Sequence, residues 1–130
     1  IPAAKAAGMD TVFMVSPNTS DERINLIAEK TTGFIYTVSV LGVTGSRDSV
    51  SSAVGPLIKR LKSKTDVPVC VGFGISTPEH AVEIAKDGAD GVIIGSRIVK
   101  IIEDNLGDKK KMIAEVGDFI KEVKKALDSI

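Results

Sequence analysis

The sequence predicts an α/β protein in which a parallel sheet alternates with helices. Three observations lead there. Four short apolar runs, "TVFMV" (11–15), "FIYTVSV" (34–40), "VPVCV" (67–71) and "GVII" (91–94), read as strands, the last beginning near residue 90. Most lack the polar alternation of a strand with one wet face, which suits strands buried on both sides. Between and after the runs lie segments with helical spacing. This order points to either a doubly wound sheet or a barrel.

Each element has its own signal. "IPAAKAAG" at the start reads as the tail of a helix, and Ile1 in place of Met suggests a chain cut from something longer. Asp21 to Lys30 sets Ile24, Ile27 and Ala28 on one face, with Ser20 as the cap. Ser52 to Lys64 carries Val54, Leu57, Ile58 and Leu61 as a stripe, and Pro56 places the start of the regular helix near itself. Pro78 after Thr77 opens the next helix and Gly88 ends it. "RIVKIIEDN" forms a short extra helix after the last strand. Asp108 to Leu127 forms a longer one with Met112, Val116, Phe119, Ile120, Val123 and Leu127 at helical spacing. Strand starts at 11 and 67, and at 34 and 90, are equally separated, and "GMDTV" (8–12) resembles "GADGV" (88–92), a hint of internal repetition.

Composition excludes several classes. The chain has 130 residues, one domain's worth, and is 43% hydrophobic and 26% charged, as a globular protein is. Seventeen basic residues balance seventeen acidic ones, and no basic tract exceeds Lys109-Lys110-Lys111, so nucleic-acid binding is not expected. The single cysteine, Cys70, excludes a disulfide framework and fits a reducing cytoplasm. No apolar run approaches a membrane span, and no signal-peptide pattern opens the chain.

The chemistry concentrates in loops that follow strands. "GVTGS" (42–46), "GFGIST" (72–77) and Gly95-Ser96 each offer glycines, a small hydroxyl and backbone N–H groups, and all should lie at one end of a parallel sheet. Gly95-Ser96 also opens a helix, whose positive end favours an anion. A phosphate site built by the loops after the last two strands and a short extra helix is a habit of βα barrels. Gly72 and Gly74 are therefore expected to make room for a phosphorylated ligand. Tyr36 is either a core residue or an inward-facing positioning group. His80 reads as solvent-facing, and Cys70 as packing. The strand-end loops hold almost no carboxylates, Asp48 being the nearest, so no acid/base couple is evident.

"TTGFIYTVSVLGVTGSR", "VGFGIST" and "GVIIGSRIVKIIEDN" together resemble the C-terminal half of the tryptophan synthase α subunit, and the likeness runs along essentially the whole chain in order. The resemblance implies a parallel (βα)4 half of a TIM barrel, strands five to eight, forming one domain over residues 1–130. It implies a lyase of tryptophan biosynthesis that splits indole-3-glycerol phosphate into indole and glyceraldehyde 3-phosphate. It implies no cofactor in this chain, with pyridoxal phosphate belonging to a β-subunit partner that consumes the indole. By matching motifs, Gly45, Gly74, Gly95 and Ser96 would hold the phosphate, Phe73 and Ile93 would lie beside the substrate, and Thr44 would help close the site. Tyr36 would sit near the indole ring in a supporting role. The family's catalytic glutamate and aspartate come from early strands that nothing here matches. Two other readings compete: a half-barrel module that binds phosphate without catalysis, and another phosphate-binding barrel enzyme. A half barrel would also leave open sheet edges, which favour self-association.

Overall fold

The computed structural model describes residues 1–38, 53–72 and 74–130. A short helix α1 (Pro2–Ala6) leads into β1 (Phe13–Val15), α2 (Asp21–Lys30), β2 (Ile35–Val38), α3 (Val54–Lys62), β3 (Val69–Gly72), α4 (Pro78–Lys86), β4 (Gly91–Ile93), α5 (Ser96–Asp104) and α6 (Lys109–Leu127). Strands β1, β3 and β4 do not match their apolar runs end to end. Pro68 has no N–H for a ladder, so β3 starts at Val69, although the Pro68 carbonyl still accepts from Ile35 N–H at 2.8 Å. Pro56 lies in the first turn of α3, where its missing N–H costs no helical bond. Residues 39 and 40 of the second apolar run, and Ser52 at the predicted helix start, lie outside the described residues.

The four strands are parallel and stand in chain order, β1-β2-β3-β4. This order decides between the two architectures left open by the sequence. A doubly wound sheet reverses its order and carries helices on both faces. Strands laid down successively by right-handed crossovers place every helix on the same face, as a barrel does. The core agrees: Val15, Ile35, Val69 and Val71 of the strands pack with Ile24 and Ile27 of α2, Leu57, Ile58 and Leu61 of α3, and Ala81 and Ile84 of α4. Helix α6 packs against α4 and α5 and adds Phe119 and Val123 to the same cluster.

The register assigns the other face. Met14, Tyr36, Cys70 and Gly91 lie side by side across the sheet, and Val38, Gly72 and Ile93 lie two residues further along. Side chains alternate between faces along a strand. These residues therefore form the inner face, opposite the helices. Met14 is 60% exposed there. The apolar runs do read on both faces, but this chain covers only one of them.

The suspected repeat has a common local structure. Gly8 and Gly88 take left-handed backbone angles, φ 67° and 101°, just after α1 and α4. In each case the following amide reaches back to close the helix: Met9 N–H to Ala4 O and Ala89 N–H to Ile84 O, alongside Gly8 N–H to Lys5 O and Gly88 N–H to Ala85 O. This double closure is a Schellman cap, and glycine is favoured because a Cβ strains the left-handed region. The aspartate two residues later then leads into a strand.

At β4 that aspartate ties three elements together. Asp90 accepts from Val69 N–H at 2.7 Å and from Lys62 Nζ at 2.6 Å, joining the starts of β3 and β4 to the end of α3. Burial alone would raise the Asp90 carboxyl, but the bonds from Lys62 and Val69 outweigh it and hold the group below its usual range. A depressed carboxyl contributes stability above its unfolded pKa, near 4, and loses that contribution as pH falls through the folded value. Asp90→Asn should therefore cost about 1 kcal/mol near neutrality, the half-exposed setting discounting the charged bonds. It should also flatten the acid limb of the stability curve. Denaturant unfolding of both proteins at pH 7 and pH 3 measures this, and an equal difference at the two pH values would refute the assignment.

Candidate functional site

In a parallel sheet the chain leaves every strand at the same end. Gly72 and Ile93 are direct neighbours in the β3–β4 register. Gly74 and Gly95 each follow two residues later, so both loops leave the sheet at the same end. Gly74 has φ 80° and is exposed, a left-handed position that an L side chain would strain. Gly95 differs. Its φ is −118°, open to any residue, and a Cβ built there meets nothing within 4 Å. What glycine provides at 95 is free approach to the backbone.

The helix that follows starts without a side-chain cap. Helices α2, α4 and α6 are capped by side chains: Ser20 accepts from Arg23 N–H, Thr77 from His80 N–H and Asp108 from Lys111 N–H. Helix α5 begins at Gly95, which has no side chain to accept. Its first turn has no carboxylate, as in α3, which also lacks a capping side chain, and in α6; α2 begins with Asp21 and Glu22 and α4 carries Glu79. The first intrahelical bond is Val99 N–H to Gly95 O, at 3.0 Å. The N–H groups of Ser96, Arg97 and Ile98 precede it and have no partner within the helix. Arg97, in the same turn, is exposed and lies with its guanidinium 5.7 Å from the centre of the Phe119 ring. Sequence reasoning missed this cation; its signal was its place directly after Gly95-Ser96.

The inner face supplies the rest. Tyr36 lies on the inner face of the sheet, half-buried. Its ring lies across Gly72: a Cβ at residue 72 would sit 2.6 Å from Cζ and 2.8 Å from Cε1 of the tyrosine. The expectation that Gly72 makes room for a ligand is therefore corrected, because the phenol of Tyr36 takes that space. Cys70 leans the same way on the next strand, its Sγ 3.0 Å from where a Gly91 Cβ would be. This is packing, as expected, but on the inner face, and burial pushes the thiol up. Ile93 shares this face, half-buried. His80 is half-buried in the first turn of α4, with Nδ1 3.5 Å from Ser76 Oγ, so it turns back toward the loop rather than out to solvent.

Thr44, Gly45 and Phe73, and Asp48 with them, lie outside the described residues. Two described carboxylates at the site end already serve the fold. Asp21 accepts from Arg60 Nε at 2.7 Å, and that bond holds it low. Glu79 is held low by a backbone N–H and by Thr77. Neither is poised as an acid. No group of three or more His, Cys, Asp or Glu among the described residues is gathered to hold a metal, and no helix is long and apolar enough to cross a membrane.

The sequence profile of the family described as "Tryptophan synthase alpha chain" matches residues 1–128. The chain belongs to the tryptophan synthase alpha chain family. It is 45% identical over 125 residues to the alpha chain of Methanoregula boonei, covering 96% of this chain and 47% of that protein. It is 45% identical over 124 residues to that of Methanothermobacter thermautotrophicus, covering 95% and 46%. The solved tryptophan synthase α-subunit of Pyrococcus furiosus superposes with a TM-score of 0.82 at 36% identity, over 95% of this chain and 48% of that one. The chain thus spans about half the length of the relatives it matches, and its fold is half of an α-chain TIM barrel. Proteins of this family use no cofactor of their own.

The Tyr36–Gly72 contact gives a direct test. Gly72→Ala must displace the phenol or the strand, and should cost about 1–3 kcal/mol, as overpacking does. In a Tyr36→Ala background the same change should cost much less. A double-mutant cycle by urea unfolding reads the coupling, and additive effects would show that the two residues do not touch.

Proposed function

We propose that this chain is the substrate-phosphate-holding, C-terminal half of a tryptophan synthase alpha chain, a lyase that cleaves indole-3-glycerol phosphate to indole and glyceraldehyde 3-phosphate. Family membership and half-length coverage support the reading. The observation that carries it is the bare positive end of α5, with no capping side chain, no first-turn carboxylate and open space at Gly95, beside the Gly74 loop. A dianionic phosphate fits such a place, because free amides supply directed donors and the helix dipole favours the charge. Gly74, Gly95 and Ser96 are the assigned phosphate contacts, and Gly45 joins them by its motif. Ile93 and Phe73 are assigned to the substrate body, Tyr36 to the indole ring, and Thr44 to closure. Such a protein works in the cytoplasm, and its indole passes to a pyridoxal-phosphate-dependent β subunit. The solved tryptophan synthase complex of Pyrococcus furiosus is an assembly of the family to which this partner belongs.

The cleavage itself is a retro-aldol reaction. A carboxylic acid protonates the indole at C3, a carboxylate stabilises the charge developing at the ring nitrogen, and a base takes the proton of the glycerol hydroxyl. General acid–base catalysis needs those groups within hydrogen-bond reach. Asp21 and Glu79 are committed elsewhere, and a phenol or threonine hydroxyl orients substrate without replacing two carboxylates. A phosphate clamp binds ground state and transition state alike, so by itself it gives affinity and not rate. The isolated chain should bind phosphate and release no indole.

Gly95→Val tests the site, because a side chain there meets nothing in the free protein. Calorimetric titration with inorganic phosphate should show at least a tenfold loss of affinity, about 1.4 kcal/mol, at unchanged melting temperature. Equal phosphate affinity in the two proteins would refute the site. Indole release by the unaltered chain would refute the division of labour, and would make Asp48 the first residue to replace.

A further inference from the structure

Helix α5 does little by itself to fix its own direction. It has nine residues, of which Ile101 alone is buried, with Ile98 packed partly against the core. A helix shorter than about 12–15 residues is marginal in isolation, so its place comes from tertiary contacts. Side chains at both of its ends reach α6. Near its start the Arg97 guanidinium lies over Phe119, and just past its end Asn105 bonds Glu115.

Asn105 forms the corner between the two helices. It is a buried amide, 5% exposed. Its Nδ2 group donates to Ile101 O at 2.8 Å and to Glu115 Oε2 at 2.8 Å. The first bond closes a carbonyl in the last turn of α5, and the second crosses to α6. The Asn105 carbonyl accepts from Asp108 N–H at 2.9 Å, and Asp108 in turn caps α6. The other oxygen of Glu115, Oε1, faces Lys111 Nζ at 3.5 Å, so the carboxylate is held from two sides. A buried donor left unpaired carries its full desolvation penalty, so a fully bonded amide of this kind permits few other arrangements.

The buried Ile101 lies between this corner and the bare terminus. With Ile101 as the pivot, a shift at Asn105 swings the N–H groups of Ser96, Arg97 and Ile98 the opposite way. Hydrogen bonds weaken steeply as their angle opens, so an anion held by those N–H groups would register the swing. We propose that Asn105, acting through Glu115, is a positioning residue for the anion site: it sets the direction of α5 and so the aim of its first turn. The proposal rests on the reading of α5 as the helix that holds phosphate. Charge alone gives Glu115 the opposite sign of effect, because a carboxylate repels an anion and its removal would tighten binding.

Two variants of the half-exposed Glu115 test it. Glu115→Ala removes the tie to α6 and leaves the bond from Asn105 to Ile101 O within α5. Calorimetric titration with inorganic phosphate should show about fivefold weaker binding, against the direction that charge predicts. Glu115→Gln removes the same charge but keeps an oxygen for Asn105 Nδ2, and should bind as the unaltered chain does, to within about twofold. Residual dipolar couplings of the backbone amides, measured without phosphate, give a second readout. In Glu115→Ala those of Ser96 to Ile101 should change while those of β3 and β4 hold, and Glu115→Gln should match the unaltered chain. Unchanged or tighter phosphate binding in Glu115→Ala overturns the proposal. Weaker binding with unchanged couplings overturns it too, and so does a Glu115→Gln variant that behaves like Glu115→Ala. Equal phosphate affinity in Gly95→Val would refute the phosphate reading instead, and the couplings alone would then decide whether Asn105 directs α5.

Discussion

Everything functional in this chain depends on one topological constraint: parallel strands laid down in chain order by right-handed crossovers. That constraint puts all helices on one face, which lets a single apolar cluster from Val15 to Val123 hold the sheet. It also sends every strand-to-helix loop to the same end. Gly74 and Gly95 follow at the same end not because they are close in sequence but because Gly72 and Ile93 are paired in the ladder before them. The placing of these loops is thus a consequence of the register, and at the opposite end Asp90 is bonded to both Val69 and Lys62.

The two ends use their polar groups differently. At the strand starts, charges are paired and backbone groups are satisfied: Asp90 accepts two bonds, and the Schellman caps at Gly8 and Gly88 close their helices. At the strand ends, the first turn of α5 is left with unspent donors and an exposed cation, Arg97. Unpaired donors stabilise nothing in the free protein, and they are what an anion would use. Tyr36 sits between these regimes. Its ring is fixed by Gly72, so the inner face beneath the loops is shaped before any ligand arrives.

Much of this was legible in the sequence. The alternation of apolar runs and helical stripes gave the element order, with Ser20 marking one helix start by its capping oxygen and Pro78 another, while the caps at Thr77 and Asp108 emerged only in the structure. Of the Gly-rich strand ends, those at Gly74 and Gly95 follow neighbouring parallel strands at one end, as expected, and residues 42–46 lie outside the described residues. Three features were not legible, each for a physical reason. Whether the sheet was wound singly or doubly depends on strand order, which local periodicity does not encode. The purpose of Gly72 depends on a ring from another strand, 36 residues away in sequence, and so was read as space for a ligand. The exposure of the inner face is invisible in an apolar run, because Met14 reads the same whether or not another strand covers it.

The central claim is that backbone amides at two neighbouring strand ends form an anion site. Amide chemical shifts of the isotopically labelled chain, followed through a titration with inorganic phosphate, test it most directly. The account predicts saturable shifts centred on the amides of Gly74, Gly95 and Ser96, with the strand starts around Val69 and Asp90 unmoved. Shifts confined to lysine-rich surfaces such as the start of α6, or no saturable response at these three amides, would contradict it.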